Sequence, residues 1–356
     1  MPITAADSIT LAIEHTKQQL FRPFRIGQWT KLAFVGLLAG ELGANGCNRS
    51  NFHIPQHSAT VPHMAWPGSL GSLGIDRVLL ALLIAALIVA AFSIGIILMY
   101  VSSVMRFVLF DSIVAKECHI RWSWSHRLGP GWRFFAFKLV YAFAMLAALL
   151  LLIAVPLAFA FTSGWFREPK AHLPALVLGG ISLFFVLFTL VVVAALVLVL
   201  TKDFVIPQMA LEDVDAIEGW RRLWPMMRAD KTSYAAYIGM KILLAFTAGI
   251  LIGIATIILG LVVAVPSVVL GALAVLTGKA AGLTWTPGTI ALAVTIGVTL
   301  LAGFLYLVSL VAVPVIVFFP AYSIYFFASR YPPLSATLYA RATAPQAPPS
   351  AAPAPA

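Results

Sequence analysis

The sequence predicts an all-α integral membrane protein of about six transmembrane helices, arranged as three hairpins with amphipathic interfacial helices on the cytoplasmic side. Three observations carry this prediction. Hydrophobic residues fill 61% of the 356 positions and charged residues only 10%, far from the balance of a soluble domain. The charges are clustered, so that Val78–Met105, Leu139–Phe166, Ala171–Thr201, Ile242–Gly278 and Ala280–Ser329 contain no Asp, Glu, Lys or Arg. The basic residues alternate between loops, with 18 of the 23 Lys and Arg in the segments up to 31, 106–138, 202–241 and from 330 onward. Basic residues favour the cytoplasmic side, so both termini are expected to face in.

Residues 1–28 are expected to form a cytoplasmic amphipathic segment, with no cleavable signal peptide, because some thirty amphipathic positions precede the first apolar run. The membrane domain then runs over 29–330. A span needs about 20 apolar residues, which places spans near 29–44, 78–104, 139–163, 174–200, 242–264 and 289–313. The first contains Glu41, the one acidic residue inside an expected span. It is therefore a possible intramembrane polar site, set about one turn from the outer end, where a carboxylate reaches water.

The loop that follows holds Cys47, His53, His57 and His63. Gly46-Cys47 is reminiscent of a lipidation site, but Glu41 interrupts the apolar run before it and no Leu stands three residues ahead. Pro55 and Pro62 argue against the helix that would bring His53 and His57 onto one metal-binding face. An ordinary thiol and a polar loop without metal are the expectation. Cys118 falls on the opposite side of the membrane, so the two cysteines cannot pair within one chain.

After the second span comes Arg106-Phe107-Val108-Leu109-Phe110. After the fourth, 97 positions on, comes Asp203-Phe204-Val205-Ile206-Pro207, and after the sixth Val317-Phe318-Phe319-Pro320. Amphipathic stretches lead into the first, third and fifth spans at Asp7–Leu20, Arg121–Phe135 and Asp215–Met227. These likenesses suggest three units, each a surface segment, a hairpin and an aromatic exit. In Arg121–Arg133, Trp alternates with Arg and His as in an interfacial belt. Pro207 should end or bend the fourth span. Asp215 followed by Glu218 fits a helix start, and Ile217, Trp220 and Trp224 recur at helical spacing with Arg221, Arg222 and Arg228 beside them. A surface helix anchored in anionic headgroups is the expectation. Pro156, Pro266 and Pro314 are read as packing features of the spans. The Ala/Pro-rich segment 331–356 is expected to be a disordered cytoplasmic tail.

The pattern carried by Pro207, Glu212, Trp220, Arg221, Arg222 and Trp224 resembles a motif of bacterial polytopic membrane proteins, including the membrane domains found beside glycerophosphodiester phosphodiesterases. The resemblance implies a membrane fold in a bacterial inner membrane. It implies no hydrolase, because no catalytic domain accompanies it. Pro225 departs from the pattern and should shorten the helix.

The net charge of +10 is explained by its distribution across the membrane rather than by nucleic acid, for which no basic module exists. No metalloprotease, P-loop or nucleophile-elbow motif occurs, so neither enzymatic activity nor a cofactor is expected. The function read from the residues is a non-enzymatic membrane protein that scaffolds or modulates a membrane or cytoplasmic protein partner, in contact with anionic lipid. The alternative is a small-solute transporter or permease, which would call for buried ionisable groups in the spans.

Overall fold

The computed structural model describes residues 3–22, 24–41, 77–165, 172–280 and 287–343. Helix accounts for about 91% of them, and they contain no strand. The helices are α1 (Asp7–Phe21), α2 (Ile26–Leu38), α3 (Arg77–Ala115), α4 (Ile120–His126), α5 (Leu128–Thr162) and α6 (Leu173–Leu200). A π-turn (Thr201–Val205) joins α6 to α7 (Ile206–Glu212), followed by α8 (Ala216–Ala229), α9 (Lys231–Ala280), α10 (Pro287–Ala328) and α11 (Pro332–Thr343).

Five of these stretches are long and apolar enough to cross a membrane: Val78–Ala115, Leu128–Thr162, Leu173–Glu212, Lys231–Gly278 and Gly288–Ala328. The chain is a multi-pass membrane protein. Away from their packed ends these helices stay bare: Leu82, Leu83 and Ile84, then Leu87, Ile88 and Val89, are all more than half exposed. Consecutive residues point about 100° apart around a helix, so lipid can surround α3 there, and a helix satisfies its own backbone groups in lipid.

Burial is concentrated at one end, here termed the base. Phe107, Phe204, Phe319, Phe326, Phe327, Tyr237 and Tyr322 are fully buried there. Their rings interleave, with Tyr237 stacked on Tyr322 at 5.0 Å and Phe204 at 5.1 Å from Tyr237. α1 packs along α10, and α2 wedges between α10 and α3. A Cβ at Gly36 would sit 2.5 Å from an Ile316 methyl, so only glycine lets α2 approach α10 so closely. α2 runs antiparallel to α3, with the Gln28 amide donating to Lys116 O at 2.9 Å and the Arg106 guanidinium to Ala39 O at 2.5 Å. The inner face of α1 is largely polar: Ser8, His15, Thr16 and Gln19 are buried with Ala12 and Leu20.

Four expectations need correction. The first expected span is, in its described part, the 13-residue helix α2, about 20 Å long at 1.5 Å per residue. Residues 42–44 lie outside the described residues, as do Cys47, His53, His57 and His63. The chain does not leave the helix at Pro207: it widens into the π-turn and continues to Glu212, where Asp213 takes a left-handed conformation at φ 55°. Pro lacks an N–H and crowds the carbonyl four residues back, and an extra residue in the turn accommodates both defects. Pro225 does not shorten α8, which runs on to Ala229. Finally, 332–343 is an ordered helix, with Leu334 and Leu338 buried on one face; the rest of the tail lies outside the described residues. Pro156, Pro266 and Pro314 sit inside continuous helices.

Candidate functional site

The three exit segments singled out by their likeness meet at one cavity of about 30 Å³. Arg106, Leu109 and Phe110 line it from α3, Lys202, Asp203, Ile206 and Pro207 from the π-turn and α7, and Pro320, Ser323 and Ile324 from α10, with Glu41 beside them. Leu109 and Phe110 stand 97 positions before Ile206 and Pro207, so matched positions of two units face each other across it.

Glu41 is the centre of the charge arrangement. Its carboxylate is fully buried and accepts from Arg106 Nη1 at 2.6 Å and from Lys202 Nζ at 2.5 Å. Gly40 precedes it at φ +78°, a left-handed conformation that aims the chain out of the α2 axis and into the cluster. A second group lies alongside. Asp203, also on the π-turn, accepts from the Tyr237 hydroxyl at 3.0 Å and forms an ion pair with Lys241. The π-turn therefore presents Lys202 towards Glu41 and Asp203 towards α9. Two neighbouring residues of opposite charge thus join α2, α3 and α9.

Glu41 does not lie near the outer end of a span. Its partners Arg106 and Lys202 are the first charges after the runs Val78–Met105 and Ala171–Thr201, at the base end of α3 and α6. Burial removes hydration from the charges, and only close pairing and hydrogen bonds offset that cost.

The interfacial motif is assembled against the other side of the π-turn. α8 buries Ala216, Gly219 and Leu223. A Cβ at Gly219 would lie 2.7 Å from Val205 Cγ1, so the glycine brings α8 onto the π-turn. Trp220 is docked there, its Nε1 donating to Thr201 Oγ1 at 2.9 Å. It is half-buried against the base. Trp224 is half exposed, with the Arg228 guanidinium 5.0 Å from its ring, and Ile217 is 76% exposed. Asp215 stands at the N-cap but makes no capping hydrogen bond; it faces Arg133 at 3.5 Å. Glu212 holds Arg222 and accepts from the Tyr331 hydroxyl, tying α7 to α8 and to the start of α11. Glu218 faces Arg222 at 3.2 Å and Arg221 at 3.5 Å, and the Arg221 side chain is 82% exposed. Pro207 is buried on the cavity wall, away from α8's exposed face.

In the Trp/Arg belt, Trp122 and Trp132 are exposed, whereas Arg127 is turned inward. It forms a bidentate pair with Asp111, both contacts 2.8 Å, and donates to Ala210 O at 2.7 Å. Arg133 donates to Asp213 O at 2.6 Å. Among the described residues, no group of three or more His, Cys, Asp or Glu could hold a metal ion.

Sequence reasoning missed Arg106, Lys202, Asp203, Tyr237 and Lys241 as one constellation. The signal was present in the run boundaries: Arg106 and Lys202 close two charge-free runs, Lys138 and Lys241 open two others. Residues that mark the same membrane depth on four helices are candidates to meet. No curated protein and no solved structure matches the chain. A family model does match, over residues 3–337, and on that match the chain belongs to a family of unknown function, DUF7544.

Proposed function

We propose that this protein is a non-enzymatic membrane scaffold: a rigid base at the cytoplasmic face of an inner membrane, held by apolar spans and offering its exposed rim to a protein partner. The observation that carries the reading is the concentration of the buried core and of the ion pairs at the base. The exposed rim alternates aromatic and basic side chains, with Trp122, Trp132, Ile217 and Trp224 uncovered beside Arg221 and Arg228. Aromatic and arginine side chains are the residues that dominate protein interfaces, and the same rim meets anionic headgroups.

Neighbouring spans pair as hairpins in this reading, with α5 on α6 and α9 on α10, while α2 packs on the base end of α3. The base faces inward because the basic residues concentrate there. The likeness to membrane domains beside glycerophosphodiester phosphodiesterases fits a shared surface-helix device without the hydrolase.

A second reading, a small-solute transporter, rests on one observation: buried charges and a π-turn converge on a cavity, and π-turns gather at functional sites. The cavity, at about 30 Å³, holds a water or two. A solute pocket is roughly tenfold larger, so the scaffold reading is preferred.

Photo-crosslinking decides between them. A crosslinker in place of Trp224 or Ile217, in cells, should capture the same discrete protein from both positions, and one inside the bare segment of α3, at Leu87, should not. Capture of lipid alone from Trp224, together with solute uptake by proteoliposomes that Glu41→Gln abolishes, would overturn the scaffold in favour of transport.

A further inference from the structure

Where α1 turns into α2, the fold leaves a cluster of aromatic and basic side chains bare. Phe21, Phe24 and Ile26 are each more than half exposed, and Arg22 and Arg25 among them are exposed as well. The rings are held. Phe21 and Phe24 meet Trp29 edge-on at 5.7 Å and 5.6 Å, and Trp29 is half-buried, its Nε1 donating to Leu20 O at 3.0 Å. Two anchors are thus fixed before any partner arrives, which lowers the ordering cost of binding.

Lipid does not reach this cluster. α2 and α3 pack in register, with Gln28 against Lys116 and Ala39 against Arg106, so the α1–α2 turn sits past the last turn of α3. The uncharged run from 78 to 105 has 28 residues, about 42 Å of helix. Even tilted by about 40° it covers roughly 32 Å, enough to cross the hydrocarbon layer. Arg106 therefore stands at the edge of that layer. Ala115, where α3 ends, is nine residues farther, about 14 Å along the axis and about 10 Å in depth at the same tilt. The headgroup layer is only about 5–8 Å deep. This depth is the same whichever side of the membrane the base faces.

Charge states what does cover it. Lys17, Arg22, Arg25, Lys31 and Lys116 gather round the turn, against Glu14 and Glu117 on the same stretches. The Lys116 Nζ donates to Gln18 Oε1 at 2.9 Å, which brings the end of α3 to the turn. All five basic residues are exposed, and among the described residues none of them forms an ion pair. A second copy of this basic chain would be repelled, and residues 344–356 contain no acid to answer the charge. Aromatic and arginine side chains are the ones that dominate protein interfaces. We infer that the α1–α2 turn docks an acidic segment of another protein, one whose own apolar side chain packs on Phe21 and Phe24. The site uses no residue of α8, so it stands or falls separately from the rim on which the scaffold reading rests.

The test uses the full chain in cells, with a photo-crosslinker in place of Phe24 or of Ile26 and the captured segment identified by mass spectrometry. Both positions should capture the same segment, rich in Asp or Glu around an apolar residue. A synthetic peptide of that segment should then bind the purified chain in phosphatidylcholine nanodiscs. Phe24→Ala should weaken this binding at least about tenfold, as for an interface anchor. Arg22→Gln with Arg25→Gln should weaken it about fivefold and flatten its salt dependence, while Arg22→Lys with Arg25→Lys should keep most of it. The arginines are exposed, so their variants should unfold at the parent temperature, and they keep the test decisive should Phe24→Ala disturb Trp29. Trp224→Ala should leave binding intact. Capture of lipid, of a second copy, of residues 344–356 or of nothing overturns the inference. So does a captured segment without an excess of acid, or binding indifferent to both arginines.

Discussion

Glu41 illustrates how one residue changes meaning once its neighbours are known. In sequence it is a lone carboxylate in an apolar stretch; in the fold it joins α2 to Arg106 and Lys202. Removing one member of a buried pair leaves charge without compensation, so Glu41→Gln should lower stability by about 3–5 kcal/mol. Adding Lys202→Met should recover part of that loss, as read by denaturant unfolding in micelles; a neutral Glu41→Gln would show that the cluster is hydrated. His15 carries a pH prediction. Burial, and secondarily the charge of Lys116, lowers its pKa to about 4 from 6.5. Its Nδ1 meets the Tyr325 hydroxyl at 3.0 Å, while Nε2 has no hydrogen-bond partner among the described residues. Above pH 6.5 the ring is neutral folded or unfolded, and its contribution is whole. As pH falls from 6.5 to about 4 the unfolded chain takes up the proton and the folded chain resists, so stability drains away, by roughly 3 kcal/mol in all. His15→Leu should flatten the stability profile across that window. An unchanged slope would mean that His15 is hydrated in the folded state.

At the scale of elements, α8 shows what periodicity can and cannot reveal. The spacing of Ile217, Trp220 and Trp224 correctly announces a helix starting at Asp215. It does not choose between faces, because the packed side is built on small residues, Ala216 and Gly219, which hydrophobic spacing barely registers. The 97-residue likeness between 106–110 and 203–207 pointed to segments that do converge. That Pro207 would widen the helix instead of ending it depended on partners for Lys202 and Asp203 far away in sequence, on α2 and α9. Likewise α11 was hidden in a tail whose composition resembles disorder, although Leu334 and Leu338 at four-residue spacing were a small sign of it. Two measurements test the docking of α8. Gly219→Val drives a side chain into Val205 and should cost about 1–3 kcal/mol, with faster tryptic cleavage after Arg221 and Arg228 and a red-shifted Trp220 emission. In single-tryptophan variants, lipids with a shallow quencher should dim Trp224 and spare Trp220, and equal quenching of the two would mean that α8 is not held against the π-turn.

For the whole molecule, the order of helix ends decides the number of crossings. α1, α2 and α11 all pack in the base, and Glu41 sits level with Arg106. Arg77, at the start of α3, is 29 residues from Arg106 along a continuous helix, about 44 Å away at 1.5 Å per residue. Arg77 therefore marks the end of α3 that lies away from the base. α5, α6, α9 and α10 then contribute four more passages beyond that of α3, and the chain returns to the base. An N-terminal part and a C-terminal helix on the same side call for an even count, so we propose six crossings, one more than the five long apolar helices among the described residues. We propose that the base faces the cytoplasm, since it collects most of the basic residues and such residues favour that side. Single cysteines at Ser50 and at the exposed Thr232, in a variant otherwise free of cysteine, check count and direction together. Ser50→Cys should react with an impermeant maleimide in intact spheroplasts, and Thr232→Cys only after lysis. Reaction of neither before lysis would place residue 50 on the base side and move the crossing closer to Arg77. The reverse pattern would invert the protein and put its basic base outside. Reaction of both in sealed cells would put residue 50 and the base together on the outside, inverting the protein and moving the crossing closer to Arg77.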